Sequence, residues 1–463
     1  MTKKIFLTTK AQRAQRKTAK LCVLCAFVVQ LGCGQCCIRK IRRTIFVFVE
    51  IILFTFNTTT FCQTGLTNAR SFGLGGAYTA LATGVDAGRW NPANLGLRQS
   101  PNFSMHFASF GAGAFNNAFT KSDYDLYNGA YLNAGKKAAI LARIPAEGWR
   151  FNLTGETDLI GFAYQNYAVT IGLDFAADAN LSYDFVDVVL NGNKLNHSYS
   201  FDGTTGSGLA FVNVGFSYGK AFTPAFLKPY VKKFALGGTV KYLRGLATTE
   251  VLGARGSMTT KFEGIFGDAQ ATVRQAGGGN GIAVDLGAAA LMSKKLILGM
   301  TLRNFPGTIK WSRKAKEYEY GVTTDSLTAW EWASSHEDSV IQNDSEKRNL
   351  AGFANRLPAV VHIGAAYYQG YLIITGELVQ GLENRLHATT TPELRFGAEG
   401  HYFKYVKPRV GIGFGGKRKL NSTLGLGFTT RSFQLDLAAG TWSGFLPAQS
   451  KGVGFAFGMR FER

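Results

Sequence analysis

No cysteine occurs after Cys62 in this chain of 463 residues. All six, Cys22, Cys25, Cys33, Cys36, Cys37 and Cys62, lie in the first 62. The remainder therefore folds without disulfides and without cysteine-ligated metal. The spacings Cys22-x-x-Cys25 and Cys33-x-x-Cys36 superficially suggest zinc, but they flank or interrupt the apolar run 21–29 and no histidine is near. Histidine is scarce too. His106, His197, His336, His362, His387 and His401 form no ligand pair, so no metal and no cofactor are expected. There are only 10 prolines. No apolar run approaches the roughly 20 residues of a spanning helix, which excludes a bundle of transmembrane helices.

Acidic residues are almost missing from the start of the chain. Residues 1–63 hold 11 Lys and Arg against one acid, Glu50, and so carry +10 of the net +21. Basic chains often bind nucleic acid. Here half the charge sits in a leader and the rest is scattered, with no basic face carrying interleaved aromatics; no nucleic-acid partner is expected. Two leader-like units stand in tandem. A basic stretch at 10–20 precedes 21–29, and Arg39-Lys40-Ile41-Arg42-Arg43 precedes 45–56. The second has the charged and short apolar regions of a secretory signal, with cleavage expected before Gln63. The true start is expected near 38–41. Residues 1–62 are accordingly read as a removed leader.

What is abundant is glycine (56), phenylalanine (36) and tyrosine (18). Their arrangement is a period of two. Near the C-terminus Val453, Phe455, Phe457, Met459 and Phe461 alternate with Gly452, Gly454, Ala456, Gly458 and Arg460. The same alternation recurs from Val169 to Phe175, Val212 to Tyr218, Leu394 to Tyr402, Val410 to Phe414 and Phe433 to Leu437. The face opposite the large apolar groups is polar or glycine each time. A soluble sandwich can also alternate, but its solvent face should be richer in Lys, Glu and Thr than in Gly. A lipid-facing exterior around a polar, tight lumen accounts for both faces. The fold class expected is all-β: a transmembrane antiparallel barrel of about 14 strands spanning 101–463, in the outer membrane of a diderm bacterium. Its last strand, ending at Phe461, should pair with the first and serve as the signal for the barrel-assembly machinery; outer-membrane lipid is the other expected partner. Two stretches break the pattern. Residues 121–148 suggest a short helix at 136–144, and the polar, acidic 322–353 suggests a long extracellular loop containing Trp330 and Trp332.

Residues 63–100 form a unit of another kind. They contain Asn68-Ala-Arg70-Ser, Gly73-x-Gly75-Gly76-Ala-Tyr, and Arg89-Trp-Asn91-Pro92-Ala. The glycines permit close backbone approach, Asn91-Pro92 sets a turn, and 78–82 can form one helical turn. The glycine spacing is wrong for a dinucleotide loop, and no βαβ unit follows.

This opening resembles that of FadL-like outer-membrane proteins. The chain is more similar still to an uncharacterised family of outer-membrane barrels that share it and carry Ser-Asp-Tyr-x-x-Tyr-Asn-Gly after the first strand, here 122–129. The close resemblance covers about 64–148. It implies that 63–100 is a hatch inside the barrel, with Asn68, Arg70, Gly73, Gly75, Gly76, Arg89, Asn91 and Pro92 in the lumen. It further implies a passive transporter or channel for small hydrophobic or amphipathic molecules, and no enzyme. Related barrels serve protein secretion, so an adaptor that docks other proteins through loops such as 322–353 is the alternative. An outer-membrane hydrolase is a third reading, but Gly206-Ser207-Gly208 is not a nucleophile elbow. His401 and Glu399, two residues apart, share one strand face, either lining the channel or packing its wall.

Overall fold

Strand β1 (Phe103–Asn116) pairs with β19 (Gly452–Glu462), the last strand of the chain, from Ser104 opposite Glu462 to Phe115 opposite Gly452. That pairing closes an antiparallel barrel. The computed structural model describes residues 66, 68–97, 101–327, 341–383, 390–416 and 418–463; the leader, its expected cleavage site and the two tryptophans at 330 and 332 lie outside them.

The first staves are β1, β2 (Trp149–Tyr164), β3 (Tyr167–Leu181), β5 (Thr205–Ala221), β6 (Lys233–Lys261) and β7 (Gly264–Leu291). The next two are each broken into three pieces. β8 (Leu296–Arg303), β9 (Gly307–Trp311) and β10 (Lys316–Leu327) all pair with β7 and succeed one another along one stave. β11 (Ile341–Asn349), β12 (Phe353–Arg356) and β13 (Val360–Gln369) run back along β10, β9 and β8. β14 (Leu372–Gly381), β15 (Glu393–Gly400), β16 (Val406–Gly415), β17 (Lys419–Thr429) and β18 (Phe433–Trp442) lead to β19. The three-residue β4 (Ser198–Ser200) only edges β6. With each broken stave counted once and β4 set aside, the barrel has fourteen staves.

The period of two becomes an inside and an outside. In β19, Val453 and Phe455 are half exposed while Gly454, Ala456, Gly458 and Arg460 are buried. Phe110, Phe162, Phe216, Phe396 and Val410 repeat the outward phase, and His106, Asp158, Asn213, Arg395 and Arg409 the inward one. A wall with this outer face is stable only against lipid. Rings gather on the outer face at one end, where Tyr167 and Tyr218 lie 4.9 Å apart and Phe103 and Phe461 6.2 Å apart.

Both the first and last staves start or finish at that end, and all but one of its connections are turns of two to five residues. The opposite end carries the loops. Helix α3 (Lys121–Tyr127) and α4 (Ala134–Leu141) lie between β1 and β2, and α5 (Tyr183–Asn191) follows β3. The sequence reading placed one helix at 136–144. The structure starts α4 earlier, at the Asn133 cap, and adds α3, whose Thr120 and Asp123 form a reciprocal capping box.

The expectation of a long loop over 322–353 is corrected. Residues Lys316–Leu327 and Ile341–Asn349 are a paired hairpin laid against β7. With β6 and β7, 29 and 28 residues long, they rise well beyond the roughly 10 residues that span a bilayer. The pattern failed there because a sheet clear of lipid needs no apolar face, and alternation is legible only where one face is buried.

Candidate functional site

The segment 68–97 is the most completely buried part of the molecule. Leu74, Tyr78, Ala87, Asn91 and Ala93 are fully enclosed, and even Arg89 is only 9% exposed. It touches the inward face of staves on every side of the barrel. The segment folds as three short pieces, each fixed by a polar side chain: α1 (Ala69–Gly73), α2 (Val85–Trp90) and a 3-10 turn (Pro92–Gly96).

Asn68 caps α1, its Oδ1 accepting from the Arg70 and Ser71 nitrogens at 2.8 and 3.2 Å. The cap aims Arg70 at the wall. Its Nε and Nη2 donate to the two carboxylate oxygens of Glu399, each at 2.8 Å. Glu399 also accepts from Arg409 at 2.6 Å and bonds His401 at 2.7 Å. Glu399 and His401, which the sequence allows either to line the channel or to pack its wall, divide: Glu399 is buried in packing, and His401 is partly exposed beside it. The chain of charges continues. Arg409 donates to Asp436 at 2.6 Å, Gln434 donates to Asp436 at 2.8 Å, and Arg460 donates to Gln434 at 2.8 Å and to Asp86. Asp86 returns the network to the segment, accepting from the Tyr78 hydroxyl at 2.7 Å and bonding His106. Burial disfavours the Asp86 charge, but Arg460 and His106 override it and hold the carboxyl below its ordinary range.

Arg89 makes a second anchor. It bridges Asp158 and Asp174, the latter at 2.8 Å, and Asn213 supports Asp174. Glu377 makes a third, accepting from the backbone nitrogens of Tyr78 and Thr79 at 2.9 and 2.8 Å while His362 bonds its other oxygen at 2.7 Å. The stretch 78–82 closes on one turn through Ala82 N to Tyr78 O. Asn91 caps the 3-10 turn through Ala93 N at 3.2 Å and reaches across to the Ala288 carbonyl at 3.1 Å; Pro92 opens that turn.

The glycines serve close approach. Gly75 and Gly76 have φ of +67° and +83°, a region closed to most side chains. Gly73 lies against wall Gly425, where an added Cβ would sit 3.1 Å from its Cα. A Cβ on wall Gly219 would fall 2.1 Å from the Pro92 carbonyl oxygen. The inward glycines of the strands are thus the room in which the segment lies. All eight residues singled out from the sequence face this contact zone. Some of their wall partners are charged residues on the inward phase of a strand, such as Glu399 and Asp158, and others are inward glycines such as Gly219 and Gly425.

At the loop end lies a cavity of about 1260 Å³ under α3 and α5. Its lining is largely apolar, with Phe115, Phe119, Tyr124, Ile140, Trp149 and Val186 prominent. Phe119 and Trp149 meet edge to face at 5.0 Å. A smaller cavity of about 40 Å³ lies beside Arg89, bordered by the charged Glu156, Lys241, Asp285 and Arg303 and by apolar residues such as Phe211 and Leu243. Among the described residues no three His, Cys, Asp or Glu side chains converge as a metal site.

Residues 94–277 match a family described as a family of unknown function, DUF5723. No curated protein matches the sequence. Solved structures do. A TodX deletion mutant, described as a monoaromatic hydrocarbon channel, is 10% identical with a TM-score of 0.50, covering 88% of this chain and all of its own. The fold is that of this solved barrel. The Ralstonia pickettii toluene transporter TbuX is 14% identical with a TM-score of 0.49, over 86% of this chain and 99% of its own. A Pseudomonas aeruginosa FadL homologue is 10% identical with a TM-score of 0.47, over 87% and 98%.

Proposed function

We propose that this protein is a passive outer-membrane channel for small hydrophobic or amphipathic molecules, with residues 63–100 as its hatch. The observation that carries the reading is the pairing of a large apolar cavity at the loop end with a buried, polar-anchored segment beyond it. The cavity has the size and lining of a site for a small apolar ligand. The segment's anchors are ion pairs and hydrogen bonds, which can exchange partners with water as an apolar core cannot. TodX and TbuX are named for monoaromatic hydrocarbons and toluene, which agrees with that cargo class. In this reading the short-turn end faces the periplasm, and the strand ending near Phe461 is what the assembly machinery receives.

The test uses the protein in liposomes. Deleting 68–96 should raise leakage of a small polar dye, and Val186→Asp with Ile140→Asp should abolish binding of a naphthylamine fluorophore while leaving the barrel folded. Unchanged leakage and unchanged fluorophore binding would overturn the proposal. The adaptor reading keeps one observation on its side, the tall polar sheet of β6, β7, β10 and β11. Shortening that sheet should then abolish capture of a partner with permeability unaltered.

A further inference from the structure

Six turns join staves at the end opposite the helices: 165–166, 222–232, 292–295, 370–371, 401–405 and 430–432. They hold six basic residues, Lys228, Lys232, Lys294, Lys295, Lys404 and Arg431, and no acidic one. The loops at the other end mix signs, pairing Lys121 with Asp125 and Lys194 with Asp187. The imbalance is therefore a property of one rim.

One of these turns is also too long. Turns on this side of a membrane barrel are short, and five of the six have two to five residues, yet 222–232 has eleven. Its sequence is Phe-Thr-Pro-Ala-Phe-Leu-Lys-Pro-Tyr-Val-Lys. Phe226 is 72% exposed, and Phe222 and Tyr230 are more than a third exposed. The turn is ordered: Leu227 accepts from Tyr230 and Val231, and the Lys232 nitrogen donates to the Leu291 carbonyl at 2.8 Å, which ties it to the strand entering turn 292–295. The four lysines of the two turns thus stand on neighbouring staves. Large exposed rings beside lysines, continuous with the outward belt of Tyr167 and Tyr218, suit the boundary between acyl chains and headgroups.

We propose that turns 222–232 and 292–295 form a foot that binds anionic phospholipid headgroups in the adjoining leaflet. The rings of Phe222, Phe226 and Tyr230 enter the acyl boundary. Lys228, Lys232, Lys294 and Lys295 then meet phosphate and other headgroup anions. A soluble anionic partner would explain the lysines, but it leaves the exposed Phe226 ring in water.

The test places the full-length protein in nanodiscs of phosphatidylcholine with an equal share of phosphatidylglycerol and counts lipid retained after detergent extraction by native mass spectrometry. Wild type should retain phosphatidylglycerol over phosphatidylcholine. The variant K228Q/K232Q/K294Q/K295Q should lose that preference by roughly tenfold or more. Phe226→Ser should weaken retention of both lipids. Heat-modifiable gel migration reports that each variant is folded, and Lys404→Gln with Arg431→Gln, on other turns, should keep most of the preference. Equal retention of the two lipids by wild type, or an unchanged preference in the quadruple variant, would overturn the proposal. So would a soluble polyanion that binds the lipid-free protein through the same lysines and is not displaced by phosphatidylglycerol. None of these outcomes depends on whether the barrel transports.

Discussion

A Cβ placed on Gly411, in the wall, would lie 2.0 Å from the backbone nitrogen of Gly75, in the buried segment. Neither position tolerates a side chain. Gly75 needs its left-handed backbone, and Gly411 needs its emptiness. The two were chosen for one contact although 336 residues separate them in sequence, as their numbers show.

Gly411→Val should therefore unseat the segment while leaving the strands paired, because its outward neighbours Val410 and Ile412 are untouched. Overpacking of this kind costs about 1–3 kcal/mol. Limited proteolysis in detergent should cut within 68–97 in the variant and spare it in wild type. An uncut variant would show that the segment does not depend on this contact.

Much of the architecture was legible in the sequence because lipid enforces a strict period of two. Val453 to Phe461 shows it most clearly, and the structure keeps that phase and the pairing with the first strand. The resemblance also implied that Arg70 and Arg89 lie in the lumen. The sequence could not pair them with Glu399 or Asp158, since register across fourteen staves is set by turns and bulges that alternation does not encode. The hairpin of β10 and β11 escaped notice because its strands are dominated by polar and charged residues, and α3 because a capping box is a weaker signal than periodicity.

Phe457 lies opposite Phe110 and Leu437 on the two neighbouring strands, on the outward phase. Phe457→Arg puts a charge against acyl chains and should cost about 2–4 kcal/mol if it sits near the bilayer midplane. Guanidinium unfolding in liposomes measures it. The neighbouring Gly458→Ala, on the inward phase with its nearest obstacle 3.7 Å away, should cost under about 1 kcal/mol. Equal effects would mean that the two faces are reversed.

Asp86 gives the fold a dependence on acid. Its carboxyl titrates lower in the folded protein than its unperturbed value of 3.8. The stabilisation is therefore present above that value and is lost as pH falls below it. Unfolding midpoints should decline in that acidic window, and Asp86→Asn should be less stable than wild type at neutral pH but show a shallower acid decline. An unaltered slope would remove Asp86 from the cause.

Arg70 and Glu399 should respond unequally to truncation, although they form one ion pair. Glu399 is shared: it receives Arg70, Arg409 and His401. Removing Arg70 leaves the carboxylate with two partners, so Arg70→Ala should cost about 1–3 kcal/mol, the range for one charge-assisted hydrogen-bonded contact. Removing Glu399 strips the fully buried Arg409 of one of its two carboxylates and leaves Arg70 without its own, so Glu399→Ala should cost about 3–5 kcal/mol. The double variant separates the pair from the network. If the cost of Glu399→Ala comes mainly from stranded arginines, adding Arg70→Ala to it should be nearly neutral. Additive costs would mean that each residue stabilises the fold through contacts other than this one. Denaturant unfolding followed by tryptophan fluorescence reads all four proteins on one scale, with Trp90 reporting from inside the segment itself.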